Sequence, residues 1–304
     1  MRILVMRIIT AILALLGAGL FLYPYTASWI SQYHQSREID AYVSGIENIE
    51  PARQEQIAQA HKYNEALRSG ANLLPGQRKP IADSAIDERL TKDLWPYEEI
   101  LKADSNGMIG RLQIPSIDVD LPIQHGTSEA TLRKAVGHLE GTSFPVGGGG
   151  TRTVLTAHRG LPSATLFNNL DKVSEGDLFT VETFGEILTY RVIHTQVVQP
   201  EDSEAVRAVP GEDLATLVTC TPLGINSHRI LVTGERVYPN PEGTPEPGET
   251  SDLPRFPWWA VGVVVTLIIV VALVYSGVRQ YRKQKNTAEN AETRRKSEST
   301  PHAS

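Results

Sequence analysis

A mainly β domain, closed into a barrel or stacked as a sandwich and hung between two membrane-spanning helices, is the architecture that the sequence predicts. Three observations carry that prediction. Between residues 107 and 238 short apolar runs alternate with turn residues, giving seven or eight short strands. On either side of this core the chain turns polar or rich in proline and glycine. Beyond those flanks lie two apolar stretches long enough to cross a bilayer.

In chain order, residues 1–25 form the first span. Ile3 to Tyr23 is apolar apart from Arg7 and Thr10, and at ~1.5 Å per residue it covers most of a bilayer core. The stretch Thr26-Ala27-Ser28 is a weak cleavage site, so the segment is expected to stay as a signal anchor. Residues 26–74 are polar and helix-prone, with Ile57, Ala60, Asn64 and Leu67 at spacings of three and four, and Gly70 is a stop. This pattern predicts a helical brace packed on the core. Residues 75–106 open with Pro75-Gly76 and Lys79-Pro80, lack a sustained period, and read as a long surface excursion of the kind that forms lids.

The core, 107–238, places strands at Met108–Ile114, Val119–Ile123, Thr153–Ala157, Leu178–Phe184, Ile187–Val198, Leu214–Thr219 and Ile230–Val237. A short helix is expected over Ser163–Leu170, with Leu166, Phe167 and Leu170 as its buried face. Gly147–Gly150 lacks the Lys-Ser/Thr pair of a phosphate loop and reads as a turn. Residues 239–256 read as a linker too rich in proline and glycine to pack. Residues 257–278 form the second span, opened by Trp258 and Trp259, and residues 279–304 a basic tail with Arg279, Arg282, Lys283 and Lys285. Basic residues beyond both spans put both ends in the cytoplasm and the core outside the cell.

The net charge of −6 and the lack of a basic face in the core exclude a nucleic-acid partner. No histidine or cysteine pair has the spacing of a zinc site, and no metal or other cofactor is expected. With one cysteine in 304 residues there is no internal disulfide, and the thiol of Cys220 is free for chemistry. A free cysteine commonly packs as a small hydrophobe. Here it lies between two strand-like runs, followed by a loop with Pro222, Gly224 and Asn226 that leads to Arg229, so Cys220 and Arg229 become neighbours at one sheet edge. A second strand-like run, Arg152–Ala157, ends at His158, which supplies an imidazole at another strand end. A thiol nucleophile, a proton carrier and a fixed cation are what acyl transfer needs. His125, His138, His194 and His228 read as loop or backbone-satisfying residues, and Arg159 as structural or substrate-facing.

The run Thr-Leu-Val-Thr-Cys220-Thr-Pro, the sequence Asn226-Ser227-His228-Arg229, the motif Thr156-Ala157-His158-Arg159-Gly160 and the segment Leu121-Pro122-Ile123-Gln124-His125-Gly126-Thr127 together resemble the sortases, cysteine transpeptidases of Gram-positive cell surfaces, and among them class C. The resemblance covers 107–237 and selects a closed barrel over a sandwich. It implies that Cys220 is the nucleophile, His158 the proton carrier and Arg229 the oxyanion or substrate-backbone donor. It also implies an LPxTG-like sorting signal as substrate, cut between Thr and Gly through a thioester, with a pilin lysine as acceptor. Alternatives are attachment of proteins to peptidoglycan and a non-catalytic tethered domain that binds surface proteins. Leu253-Pro254-Arg255-Phe256 lacks the Thr-Gly bond of a sorting signal, so the second span is expected to be an anchor. Finally, Asp93 and Trp95 resemble the acidic and aromatic positions of the class C lid, with Leu94 where the family has proline. This implies an Asp93–Arg229 pair and Trp95 over Cys220.

Overall fold

The core folds as eight strands: β1 (Met108–Ile114), β2 (Val119–His125), β3 (Val136–His138), β4 (Thr151–Thr156), β5 (Leu178–Thr183), β6 (Glu186–Val198), β7 (Asp213–Thr221) and β8 (His228–Arg236). They pair in the order β1-β2-β3-β4-β7-β8-β6-β5, and β5 pairs back onto β1, so the barrel is closed and leaves no free sheet edge. The β2–β3 and β4–β7 pairs are parallel and the others antiparallel. The computed structural model describes residues 2–46, 52–69, 91–103, 107–202 and 204–298. They fall into two units, Ser28–Arg255 and the flanking Met1–Ala27 with Phe256–Ser304.

Seven strands coincide with the expected runs; β3 is additional. It is three residues long and centred on Gly137, where a Cβ would sit 2.4 Å from the Gly126 carbonyl, so the chain leaving β2 can approach only a glycine here. The expected helix over Ser163–Leu170 does not form. That stretch is a series of turns with Leu166 in the left-handed region (φ 40°), followed by a 3-10 turn at Leu170–Lys172. Leu166, Phe167 and Leu170 are nonetheless buried, because Phe167 N–H donates to the His158 carbonyl and pulls the turn onto the barrel.

Four helices complete the described chain: α1 (Arg2–Ile46), α2 (Ala52–Arg68), α3 (Glu129–Leu132) and α4 (Trp258–Glu298). The C-terminal part of α1 docks on the barrel through Ile39, Tyr42 and Ile46, and Tyr42 Oη accepts from Phe184 N–H (2.8 Å) while donating to the Ile109 carbonyl (3.2 Å). Helix α2 is the expected brace. Its Ala60 and Asn64 are buried, Ile57 and Leu67 pack against the core, and the Asn64 amide satisfies both Phe144 N–H (2.7 Å) and the Phe144 carbonyl (3.0 Å). Gly70 and residues 75–90 and 104–106 of the expected lid segment lie outside the described residues.

The segment expected to hang free as a linker is instead fastened to the barrel. Arg111 on β1 is 1% exposed and holds Asp120 with both Nε (2.7 Å) and Nη2 (2.8 Å), while its Nη1 lies 3.7 Å from Glu182 and donates to the Glu249 carbonyl. Gly248 N–H donates to Glu182 (2.9 Å), Ser251 donates to Asp120, and Ser36 of α1 donates to the Leu253 carbonyl. Proline and glycine prevent regular structure in this strap, but its backbone groups and the Ser251 hydroxyl are partners that buried charges on the barrel wall require. Burial opposes the charge on Arg111, yet Asp120 and Glu182 outweigh it and raise its pKa, whereas burial raises the pKa of Glu182.

In the other unit the first part of α1 and helix α4 are both long and apolar enough to cross a membrane. Small residues let them approach closely: a Cβ on Gly262 would lie 3.2 Å from Leu22, and one on Gly277 would lie 3.1 Å from Arg7. These contacts run in opposite order along the two helices, which are therefore antiparallel, and Arg7 donates to Ser276.

Candidate active site

Sheet register assembles the three sequence-predicted residues at one edge of the barrel. In the parallel β4–β7 pair Thr156 lies opposite Val218, and the alignment continues one step further because Ala157 N–H donates to the Val218 carbonyl (3.2 Å). Two residues past the register pair on each strand stand His158 and Cys220. In the antiparallel β7–β8 pair Cys220 lies directly opposite Arg229, and directly opposed residues share a face. His158, Cys220 and Arg229 thus follow one another across neighbouring chain segments. Thr219 beneath them is buried and donates to the Ala157 carbonyl (2.8 Å), which locks the end of β4 to the end of β7.

The surroundings are open. Cys220, His158 and Arg229 are partly exposed, and the Pro222–Ser227 loop between β7 and β8 is exposed throughout, presenting Leu223 and Ile225 to solvent. Asn226 takes the left-handed conformation (φ 58°) that turns the loop, as asparagine does at low cost. Its carbonyl and that of His228 each accept from Arg229 Nη1 at 3.0 Å, so the guanidinium is braced against its own loop. Arg159 serves the fold instead. Its Nε donates to the Asn168 carbonyl (3.1 Å) and its Nη2 pairs with Asp171 (2.6 Å), which pins the loop that follows His158.

The residue that sequence reasoning missed is Glu129. Its Oε2 lies 3.0 Å from His158 Nε2, and its Oε1 accepts from Arg133 Nε at 2.8 Å. Arg133, and after it His158, hold the Glu129 carboxyl below the usual glutamate range. Glu129 opens α3, whose N-cap Ser128 accepts from Thr131 N–H (3.2 Å). The Ser128 cap was the one signal in the sequence, and it marks a helix start without revealing what Glu129 faces.

The segment that carries Asp93 and Trp95 is fastened to helix α2 and the core. Among the described residues no ion pair joins Asp93 to Arg229; Asp93 is exposed, and its carbonyl accepts from Gln59 of α2 (3.4 Å). Trp95 N–H donates to the same Gln59 side chain (3.2 Å), and its ring packs on the core cluster. The reason is the flanking residues: Leu94 and Tyr97 are each 1% exposed and anchor the segment in the barrel wall.

The remaining histidines support the barrel and its loops. His138 is fully buried; its Nε2 faces the Ser143 carbonyl (2.9 Å) and so carries the proton, leaving Nδ1 to accept from Tyr97 Oη (2.9 Å), and burial pushes its pKa down to about 3. His125 places Nδ1 and Nε2 against the carbonyls of Gly107 and Ile100. His228 faces Gln199 and Ser227. His194 is exposed, 3.9 Å from Glu175. Among the described residues no three His, Cys, Asp or Glu side chains are grouped to hold a metal ion.

Comparison with known proteins agrees with this geometry. The sortase domain family model matches residues 112–237. Sortase D of Bacillus subtilis is 31% identical over 140 residues, 45% of this chain and 67% of the relative. The crystal structure of sortase C1 from Streptococcus agalactiae superposes with a TM-score of 0.58 at 37% identity, covering 67% of this chain and 100% of that one. Sortase C of Streptococcus pneumoniae, whose structure was described for its catalysis and pilin substrate specificity, gives a TM-score of 0.54 at 38% identity, covering 66% of this chain and 96% of that one. A closed eight-stranded barrel, a cysteine at the end of β7 and these similarities converge: the chain belongs to the sortase family of cysteine transpeptidases, with class C sortases among its structural neighbours.

Proposed function

We propose that the protein is a membrane-anchored pilin polymerase that cuts LPxTG-like sorting signals between Thr and Gly and passes the acyl group to a lysine amine of a pilin subunit. The observation that carries this reading is the register that lines up His158, Cys220 and Arg229 at one barrel edge. Cys220 Sγ attacks the Thr carbonyl carbon, the C–N bond to Gly breaks, and the departing amine takes a proton from His158. The resulting thioester meets the lysine ε-amine, which gives a proton to His158 as the amide forms and the C–S bond breaks. Arg229, always charged and rich in donors, stabilises the oxyanion in both steps or holds the substrate backbone. The pilin acceptor is supported by the likeness to the pneumococcal enzyme described for pilin specificity.

The two apolar helices support a two-pass anchor in the cell membrane. Their antiparallel packing returns the chain to the side from which it started, and Arg279, Arg282, Lys283 and Lys285 after the second span favour the cytoplasm for both ends and the outer face for the barrel. The test is to incubate the full-length protein in detergent with an LPxTG peptide and two acceptors, a lysine-bearing pilin segment and a peptidoglycan stem-peptide amine. Transfer to the lysine side chain is expected. Exclusive transfer to the stem-peptide amine would replace the pilin reading with cell-wall attachment.

A further inference from the structure

We infer that Glu129 is a positioning residue for the reaction: by holding His158 Nε2 it fixes the ring's tautomer and leaves Nδ1 for proton exchange at the cysteine edge. The inference rests on the transpeptidase reading of His158 but adds a group from a different part of the fold. An imidazole has two nitrogens, and the one that exchanges protons with the reactants is decided by what binds the other. Glu129 Oε2, 3.0 Å from His158 Nε2, is an acceptor, so that nitrogen carries its proton toward Glu129. Nδ1 then bears the lone pair when the ring is neutral and the mobile proton when it is charged.

Three features make this contact a device of the fold. First, Glu129 is fixed from its other side, because Arg133 one turn later takes Oε1 at 2.8 Å, which leaves Oε2 for the histidine. Second, the helix that opens with Glu129 and is capped by Arg133 is anchored at its start by the Ser128 cap and connects β2 to β3, strands distinct from those that carry Cys220 and Arg229. Third, the His158 carbonyl is itself held by Phe167 N–H, so backbone and ring are restrained independently. A carboxylate behind the imidazole is also what orients the ring in other nucleophile–histidine–carboxylate arrangements.

The test compares wild type with Glu129→Gln, Glu129→Ala and Glu129→Asp in the full-length protein in detergent. Glu129 is exposed, so folding should be unaffected, which thermal unfolding checks. For peptide cleavage, kcat should fall roughly 10- to 100-fold in the Gln and Ala variants with KM within about twofold, and Asp should recover part of the loss. The second readout needs no substrate: nitrogen-15 spectra of histidine-labelled protein, taken where the ring is neutral, should show the Nε2–H tautomer of His158 in wild type and a mixture in Glu129→Ala. An unchanged tautomer, or a kcat within about twofold of wild type in Glu129→Ala, would overturn the proposal. Were wild type itself unable to cleave the peptide, the substrate reading would fail while the tautomer measurement still judged Glu129.

Discussion

At the barrel edge Glu129, His158 and Arg229 meet solvent; Glu129 faces His158 and Arg133, and Arg229 donates to two carbonyls of its own loop. On the barrel wall Arg111, Asp120 and Glu182 are sealed under the strap, each less than a tenth exposed, and each guanidinium nitrogen of Arg111 has a hydrogen-bond partner. The two places use the same residue types for opposite ends. A sealed ion cluster cannot be exchanged with a substrate, and breaking it leaves charges stranded in a poor solvent. An open edge contributes little to stability and keeps its donors within reach of an incoming peptide. Function and fold are thus separable by mutation, and four changes test how cleanly.

Cys220→Ala should have the largest effect, abolishing transpeptidation altogether while leaving thermal unfolding nearly unchanged, because one partly exposed thiol at a strand end adds little packing. Residual cleavage in that variant would show that the edge is not where the chemistry happens. Arg111→Ala should invert the pattern: unfolding free energy falls by about 3–5 kcal/mol as Asp120 and Glu182 lose their cation, with turnover per folded molecule preserved. A stability loss below ~1 kcal/mol would mean that the strap and its carboxylates find partners without Arg111.

Arg229→Lys should slow turnover roughly a hundredfold with little change in stability, since an ammonium cannot reproduce a planar fork of donors. Full activity would move oxyanion stabilisation elsewhere. The fourth change, which leaves neutral-pH behaviour nearly untouched, is read as a pH slope. Burial holds His138 near 3 in the folded state against an ordinary value of 6.5, so the unfolded chain binds the extra proton between those values. Stability is therefore complete above about pH 6.5 and falls as pH drops toward 3, by up to about 1.4 kcal/mol per unit from this residue. Glu182, whose pKa burial raises, works with the opposite sign, because the folded state takes up its proton first as the solution is acidified. Denaturant titrations of wild type and His138→Gln at several pH values should show a shallower acid-side loss in the variant; parallel curves would mean that His138 titrates in the fold.

The barrel was legible because its strands are written as apolar runs between turn residues, and β1 was bounded to the residue. The juxtaposition of the candidate site residues was legible because Cys220, His158 and Arg229 each stand at an end of such a run. What escaped shares one physical character: it depends on contacts between distant segments. Strand β3 is too short for periodicity, and its Gly137 is explained only by the approach of Gly126. Residues 248–255 have the composition of a linker, and nothing local reveals that two of their backbone groups and the Ser251 hydroxyl complete a buried ion cluster from β1, β2 and β5. Asp93 and Trp95 matched a lid motif by composition, but Leu94 and Tyr97 on either side of Trp95 were the stronger signal, since their burial ties the segment to the wall. Glu129 reaches His158 across 29 residues of chain, a contact set by the path from β2 to β3.

That the register of β4, β7 and β8 builds a thiol acylation site can be read from one mass spectrum. Full-length protein mixed with an LPxTG peptide and quenched in acid within the first turnover should carry, on the peptide that contains Cys220, the mass of the acyl fragment ending in Thr. Hydroxylamine should release it as the hydroxamate. Cleavage of the peptide with no acyl mass on Cys220, or with that mass on another residue, would contradict the account.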